Sequence, residues 1–205
     1  VSDPPAARKG TLTIVGVDLA GVAHRPTGVC LLAKSQALTA LLYEDREVLG
    51  FVQENKPDLI AIDAPLCLPP GRKSMADRSG AHFRPCDEEL RRRKIPFFPI
   101  TIGPMRKLTE RGIRLRRRLE TKGFHVIEIY PGGAQDIWRM PRAKVSLPGL
   151  RRGLTCLGIK GLKREASDHE LDATTGALVG LLFLQGKAEV LGDFSSGAII
   201  MPQAS

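Results

Sequence analysis

What this sequence lacks narrows it first. No apolar run approaches the roughly 18 residues needed to cross a bilayer, so no membrane role is expected. The first ten residues, "VSDPPAARKG", have no apolar stretch of the kind a signal peptide carries. They read as a short disordered lead-in to a single domain over residues 11–205, and the expected location is cytoplasmic. Cysteine is sparse: Cys30, Cys67, Cys86 and Cys156 show no C-x-x-C spacing. That excludes a dithiol redox motif and suits reduced thiols. Cys67, His82 and Cys86 match no standard zinc spacing either. Aromatics are only 5% of the chain, which argues against a base-stacking platform and for contacts to backbone phosphate.

Positive charge, by contrast, is plentiful and uneven. The formal net charge is +9, and the stretch Arg84–Arg118 alone holds twelve Lys/Arg against four Asp/Glu. "ELRRRK" (89–94) and "RGIRLRRRLE" (111–120) supply most of it. Such a concentration suits a polyanion, with Arg91, Arg92, Arg93, Lys94, Arg111, Arg114 and Arg118 as phosphate-binding candidates. The plain alternative is a solvated helix face.

Hydrophobic patterning sets the expected elements. "TLTIVGVD" (11–18), "TGVCLLAK" (27–34) and "ALTALLYE" (37–44) are β-rich and joined by short links, which makes them an antiparallel meander. "DREVLGFVQENKP" (45–57) reads as a helix stopped by Pro57. "DLIAIDAP" (58–65) is a continuous apolar run, the form of a buried parallel strand. Residues 66–104 are irregular apart from a short helix at 86–94. A helix follows at 105–122, with Leu108, Gly112, Leu115 and Leu119 on one face and Arg111, Arg114 and Arg118 on another. "FHVIEIYPGG" (124–133) is a further buried strand, and 134–166 is loop-rich. A long helix starts at Ser167 or Asp168, and "GAIIMP" (197–202) is a last strand or an ordered tail. This order, β-β-β-α-β-α-β-α, resembles the RNase H-like fold. The expectation is an α/β domain with a mixed five-stranded sheet, three antiparallel strands then two parallel, helices on both faces, and a basic insertion over 66–122.

Four acids fall where such a sheet would gather them. Asp18 ends the first strand and Asp63 the first parallel strand; Glu128 lies near the end of the next, and Asp172 is in the first turns of the last helix. Asp168, Asp172 and Thr175 share one face at i, i+4 and i+7. The carboxyl ends of the strands form the ligand crevice of open α/β sheets. Clustered carboxylates repel, and a divalent cation keeps them ionised. Oxygen ligands select Mg²⁺ or Mn²⁺, with Asp18, Asp63 and Asp172 as the metal set. Plainer readings stand beside these. Asp18 or Asp63 caps a turn, Glu128 grips an arginine of the insertion, and Asp168 serves the helix dipole. His169, beside the cluster, is either structural or a group that orients or protonates a reacting atom.

Five segments, "VGVDLAG" (15–21), "AIDAPLCLP" (61–69), "RPCDEELRR" (84–92), "IEIYPGG" (127–133) and "DHELDATTGAL" (168–178), occur in that order. Together they resemble domain-of-unknown-function family 429, a family of predicted RNase H-like nucleases. The resemblance implies acidic site positions at Asp18, Asp63, Glu128 and Asp172, and draws attention to Arg84, Cys86 and Asp87, with Arg84 and Asp87 as substrate contacts. His169-x-x-Asp172 is also similar to the metal-site helix of RuvC-type junction resolvases, although Asp63 stands where those carry a longer glutamate. RNase H proper has a glutamate near the first helix, where this chain offers Glu44, Asp45 and Glu47.

These readings converge on a Mg²⁺- or Mn²⁺-dependent nuclease acting on DNA or RNA through Asp18, Asp63, Asp172, Glu128 and His169. Two alternatives accompany it. One is a non-catalytic nucleic-acid-binding or assembly module on the same fold. The other is an actin-like nucleotide phosphotransferase, for which "GVDLAGVAHRPTG" is a weak phosphate hairpin. The insertion is a substrate clamp, a lid or a homodimer surface.

Overall fold

Burial is nearly continuous along the first two strands and alternates along the third. β1 (Thr13–Asp18), β2 (Thr27–Ala33) and β3 (Gln36–Leu42) form the expected antiparallel meander. α1 (Asp45–Asn55) then crosses to β4 (Leu59–Asp63), which pairs parallel with β1. Its start is closed by Glu47, whose carboxylate accepts from the backbone N–H groups of Tyr43 and Glu44 at 2.7 and 2.8 Å. The computed structural model describes residues 11–77 and 79–203, so the expected lead-in over 1–10 lies outside the described residues.

The insertion carries α2 (Pro85–Arg92) and α3 (Pro104–Thr121) and leads to β5 (Val126–Ile129), parallel to β4. From there the chain departs from the expected plan. Residues 134–166, read as loop, hold most of α4 (Pro131–Ile137) and all of α5 (Leu147–Cys156). Pro131 and Pro148 look like breakers but sit in the first turns, where a missing N–H costs nothing. After α6 (Asp168–Leu184) come two strands, β6 (Ala188–Asp193) and β7 (Gly197–Pro202). β7 pairs parallel with β5 and antiparallel with β6, so the mixed sheet has seven strands in the order β3-β2-β1-β4-β5-β7-β6 rather than five. β6 escaped notice because its one fully buried residue, Leu191, leaves no alternating pattern.

Helices cover both faces, as expected. Ile14, Leu59, Ala61, Ile127 and Ile129 pack with α6 on one side. Val15, Val17, Ile60, Ile62 and Val126 pack with α1 and α3 on the other. Because side chains alternate, these two clusters assign a face to every strand position. No helix among the described residues is long and apolar enough to cross a membrane.

Candidate acidic site

Strand parity brings two acids together. Asp18 and Asp63 end β1 and β4 and are direct partners in the parallel register. Asp18 follows Ile14 and Gly16 on the α6 face, and Asp63 follows Leu59 and Ala61 on the same face. Both therefore stand at the carboxyl edge of the sheet under the start of α6.

Two glycines let that helix come close. A Cβ on Gly28 of β2 would lie 2.0 Å from the His169 carbonyl oxygen, and one on Gly16 of β1 would lie 2.0 Å from that of Ala173. Neither position tolerates a side chain, so the α6 backbone rests directly on the strands. Its first turn is anchored by a capping box: the Ser167 hydroxyl accepts from the Glu170 N–H, and the Glu170 carboxylate accepts from the Ser167 N–H. His169 consequently reaches Asp18, with Nδ1 and Oδ2 2.6 Å apart. Asp172 accepts from Gln135 Nε2 at 2.6 Å, and the same nitrogen lies 3.2 Å from Thr175 Oγ1. Gln135, from α4, is a site residue that sequence reading missed. The span around it looked like loop, and glutamine carries no charge to mark it.

Electrostatics binds the group together. Burial, reinforced by the negative charges of Asp18, Asp172 and Glu128, pushes Asp63 well above the usual carboxylate range. Burial and then Asp18 push Asp172 up to about 7, against the opposing Gln135 hydrogen bond. The hydrogen bond to Asp18 raises His169, with burial opposing it. The two aspartate shifts report like charges held close in a poorly solvated place, and the histidine shift reports its acidic partner.

Glu128 is not part of this face. It pairs in register with Ile62, one position off the Asp63 parity, so it points away from α6. There the Arg84 guanidinium donates to both its oxygens at 2.7 and 2.8 Å, and the Leu66 N–H donates at 2.8 Å. Arg84 also donates to both oxygens of Asp87, at 3.1 and 2.8 Å. Arg84, Asp87 and Glu128 are all buried. Burial works against the guanidinium charge, but the two carboxylates outweigh it and hold Arg84 protonated. The expectation that Arg84 and Asp87 contact substrate is therefore corrected: their polar atoms are spent on a buried triad tying α2 to β5. Of the two readings of Glu128, the grip on an insertion arginine is the one its geometry fits. Neighbouring Cys86 is buried, and desolvation raises its thiol, which suits packing.

Arg111 is also corrected from surface to interior. It donates to Asp45 at 2.7 Å and to the carbonyls of Ala20 and Tyr43 at 2.6 and 2.8 Å, which locks α3 over the β1 exit. That accounts for Asp45, while Glu44 and Glu47 serve the α1 start, so none of the three joins the site. At the end of α2, Arg91, Arg92 and the C-cap Arg93 are exposed but pair with Glu88 and Glu89, and Arg93 also with Glu189. Lys94 is exposed. On α3, Arg114 is exposed, as are Lys107 and Arg117; Arg118 has a 3.9 Å contact with Asp45.

Asp18, Asp63 and Asp172 thus stand on adjoining elements, two of them held by neutral or ionisable donors. Among the described residues no group of three His, Cys, Asp or Glu side chains is arranged to hold a metal ion as placed. In donor chemistry the set still fits a hard cation. It is all carboxylate oxygen, and Asp63 has no hydrogen-bond or ion-pair partner among the described residues, whereas Glu128 is already neutralised by Arg84.

A mixed α/β sheet with an acidic crevice at its carboxyl edge is the class that fold and site define. The chain belongs to the family described as "Protein of unknown function (DUF429)", whose sequence profile matches residues 16–195. Among solved structures it is similar to that of RuvC from Thermus thermophilus, at 13% identity and a TM-score of 0.48, covering 85% of this chain and 97% of that one. No curated protein matches it.

Proposed function

We propose that this protein is a divalent-metal-dependent hydrolase of phosphodiester bonds in nucleic acid, built on an RNase H-like fold. The observation that carries the reading is the Asp18–Asp63 register pair at the sheet's carboxyl edge, with Asp172 above it. Among the described residues no Lys or Arg pairs with any of the three; Asp18 has only His169. Three carboxylates kept close without a lysine or arginine are costly in a protein that uses them for structure alone.

Asp18, Asp63 and Asp172 would hold Mg²⁺ or Mn²⁺. When bound, the ion supplies an activated water and neutralises charge on the scissile phosphate. The chain's own groups do the rest. His169 fixes the Asp18 carboxylate through Nδ1 and, being readily protonated, would deliver a proton to a leaving oxygen. Gln135 fixes Asp172. The exposed cations Lys94, Lys107, Arg114 and Arg117 hold flanking phosphates, which gives binding a steep salt dependence.

A second reading, a nucleic-acid-binding module without catalysis, rests on the carboxylates not converging as placed. Calorimetric titration with Mn²⁺ and cleavage assays on DNA and RNA separate the two. The nuclease reading expects Mn²⁺ binding, cleavage by the native chain, and loss of cleavage in Asp18→Asn with salt-sensitive binding retained. Undiminished cleavage in Asp18→Asn would sink the assignment. Binding without cleavage across a panel of divalent ions favours the module.

A further inference from the structure

Beside the acids lies a cavity of about 160 Å³ that neither the carboxylates nor the basic surface explains. It opens between the insertion and the carboxyl edge of the sheet. Leu90 of α2, Phe97, Ile100, Met105 and Leu108 of the insertion, and Ile129 of β5 wall it, and Asp63 borders it. Apolar walls with few polar groups are the usual form of a ligand site. At one end are Arg84, Asp87 and Glu128, whose polar atoms are spent on one another.

Phe98 also lines this cavity, yet it is 77% exposed. An aromatic ring left that open has a face available for stacking. The chain has only ten aromatic residues: seven Phe, two Tyr and one Trp. Four of them gather here. Phe97 and Phe98 line the cavity with Tyr130, and Phe83 packs edge-on against Phe97 at 6.1 Å. The Tyr130 hydroxyl donates to the Pro96 carbonyl at 2.5 Å, which ties the Phe97–Phe98 segment to the sheet. Low aromatic content argued against stacking when only composition was counted; the fold concentrates the few rings at one place.

Two exposed cations, Lys94 just beyond α2 and Lys107 of α3, are near wall residues Leu90 and Leu108 in sequence. A planar, uncharged group matches apolar walls with an open aromatic ring among them.

We propose that this cavity receives one unpaired nucleobase of the substrate strand, stacked by Phe98, beside Asp63. Resting on the nuclease reading, it defines the substrate as a strand with an unstacked base next to the phosphate to be cut. The triad's groups being satisfied internally, recognition is through shape and stacking rather than base edges.

The test is equilibrium binding in EDTA and in Ca²⁺ to two duplexes of equal phosphate count. One carries a single unpaired adenine and the other an abasic sugar at that position. The native chain should bind the first about tenfold more tightly. Phe98→Ala, at an exposed position, should remove that preference, and Phe98→Trp should keep it. Equal affinity for both duplexes with a shared salt dependence overturns the pocket and leaves the nuclease reading standing. A preference that survives in Phe98→Ala overturns the role of that ring. No binding to either duplex overturns both proposals.

Discussion

The guanidinium of Arg84 forks onto the carboxylate of Glu128 at 2.7 and 2.8 Å, with both side chains buried. This bond joins the first turn of an inserted helix to a central strand, 44 residues apart in sequence. It makes the insertion part of the core and not a loose appendage. Removing the cation leaves two carboxylates buried and unpaired. Arg84→Ala should therefore lower unfolding free energy by about 3–5 kcal/mol, measured by denaturant titration. Arg84→Lys should recover little, since a lysine cannot fork onto two carboxylates.

Contact between α6 and the sheet is similarly strict. Gly28→Ala puts a methyl 2.0 Å from the His169 carbonyl oxygen, which forces the helix off the strands. We expect a loss of about 3 kcal/mol or more, together with loss of Mn²⁺ binding. Gly50→Ala, in α1 with nothing within 4 Å of the new methyl, should instead stabilise by about 0.5–1 kcal/mol. If both variants melt like the native chain, the close helix–strand packing is not as described.

The acidic site gives stability a pH dependence of definite sign. Asp172 rises from its ordinary 3.8 to about 7 on folding, through burial, Asp18 and Asp168 against Gln135 and His169. Asp63 moves the same way. The folded state therefore holds protons more tightly than the unfolded one. That stability is complete below about pH 4 and is lost as pH rises through about 7. His169, also raised, adds to the same trend. Between pH 5 and 8 the acids with lowered values, Glu47, Asp77, Glu170 and Asp193, stay ionised and contribute no slope. The metal-free protein should melt at progressively lower temperature from pH 5 to pH 8. Stabilisation by Mn²⁺ should grow over the same interval, because the ion competes with those protons. A shallower profile in Asp172→Asn, measured by calorimetry, would attribute that part of the slope to this site.

Nucleic-acid affinity should depend on salt chiefly through α3. Replacing Lys107, Arg114 and Arg117 together by glutamine should reduce the slope of log K against log salt by about 2, read by fluorescence anisotropy. These side chains are exposed, so the melting temperature should hardly move. An unchanged slope would shift the phosphate contacts to another surface.

Much of this architecture was legible in the residues. Short links defined the meander and continuous apolar runs the parallel strands, because a strand covered on both faces buries successive residues. The same rule placed Asp18 and Asp63 at strand ends, and helical spacing placed His169 and Asp172 on one turn. α4 and α5 were not legible, because Pro and Gly in a first turn look like loop until the following residues are seen to be helical.

By itself, then, the sequence determined the element order of the first five strands, the acids at the crevice and the basic character of the insertion. Those features are local or periodic, and each residue states its own contribution. Only the tertiary structure decided which charges are free. Glu128 and Asp63 look alike in sequence, each an acid at or near the end of an apolar run, yet a one-residue offset in register turns Glu128 to the opposite face and into Arg84. Arg111 and Arg114 share one basic helix, yet only Arg114 reaches solvent. A partner dozens of residues away in sequence settles such questions, and neither period nor composition contains it.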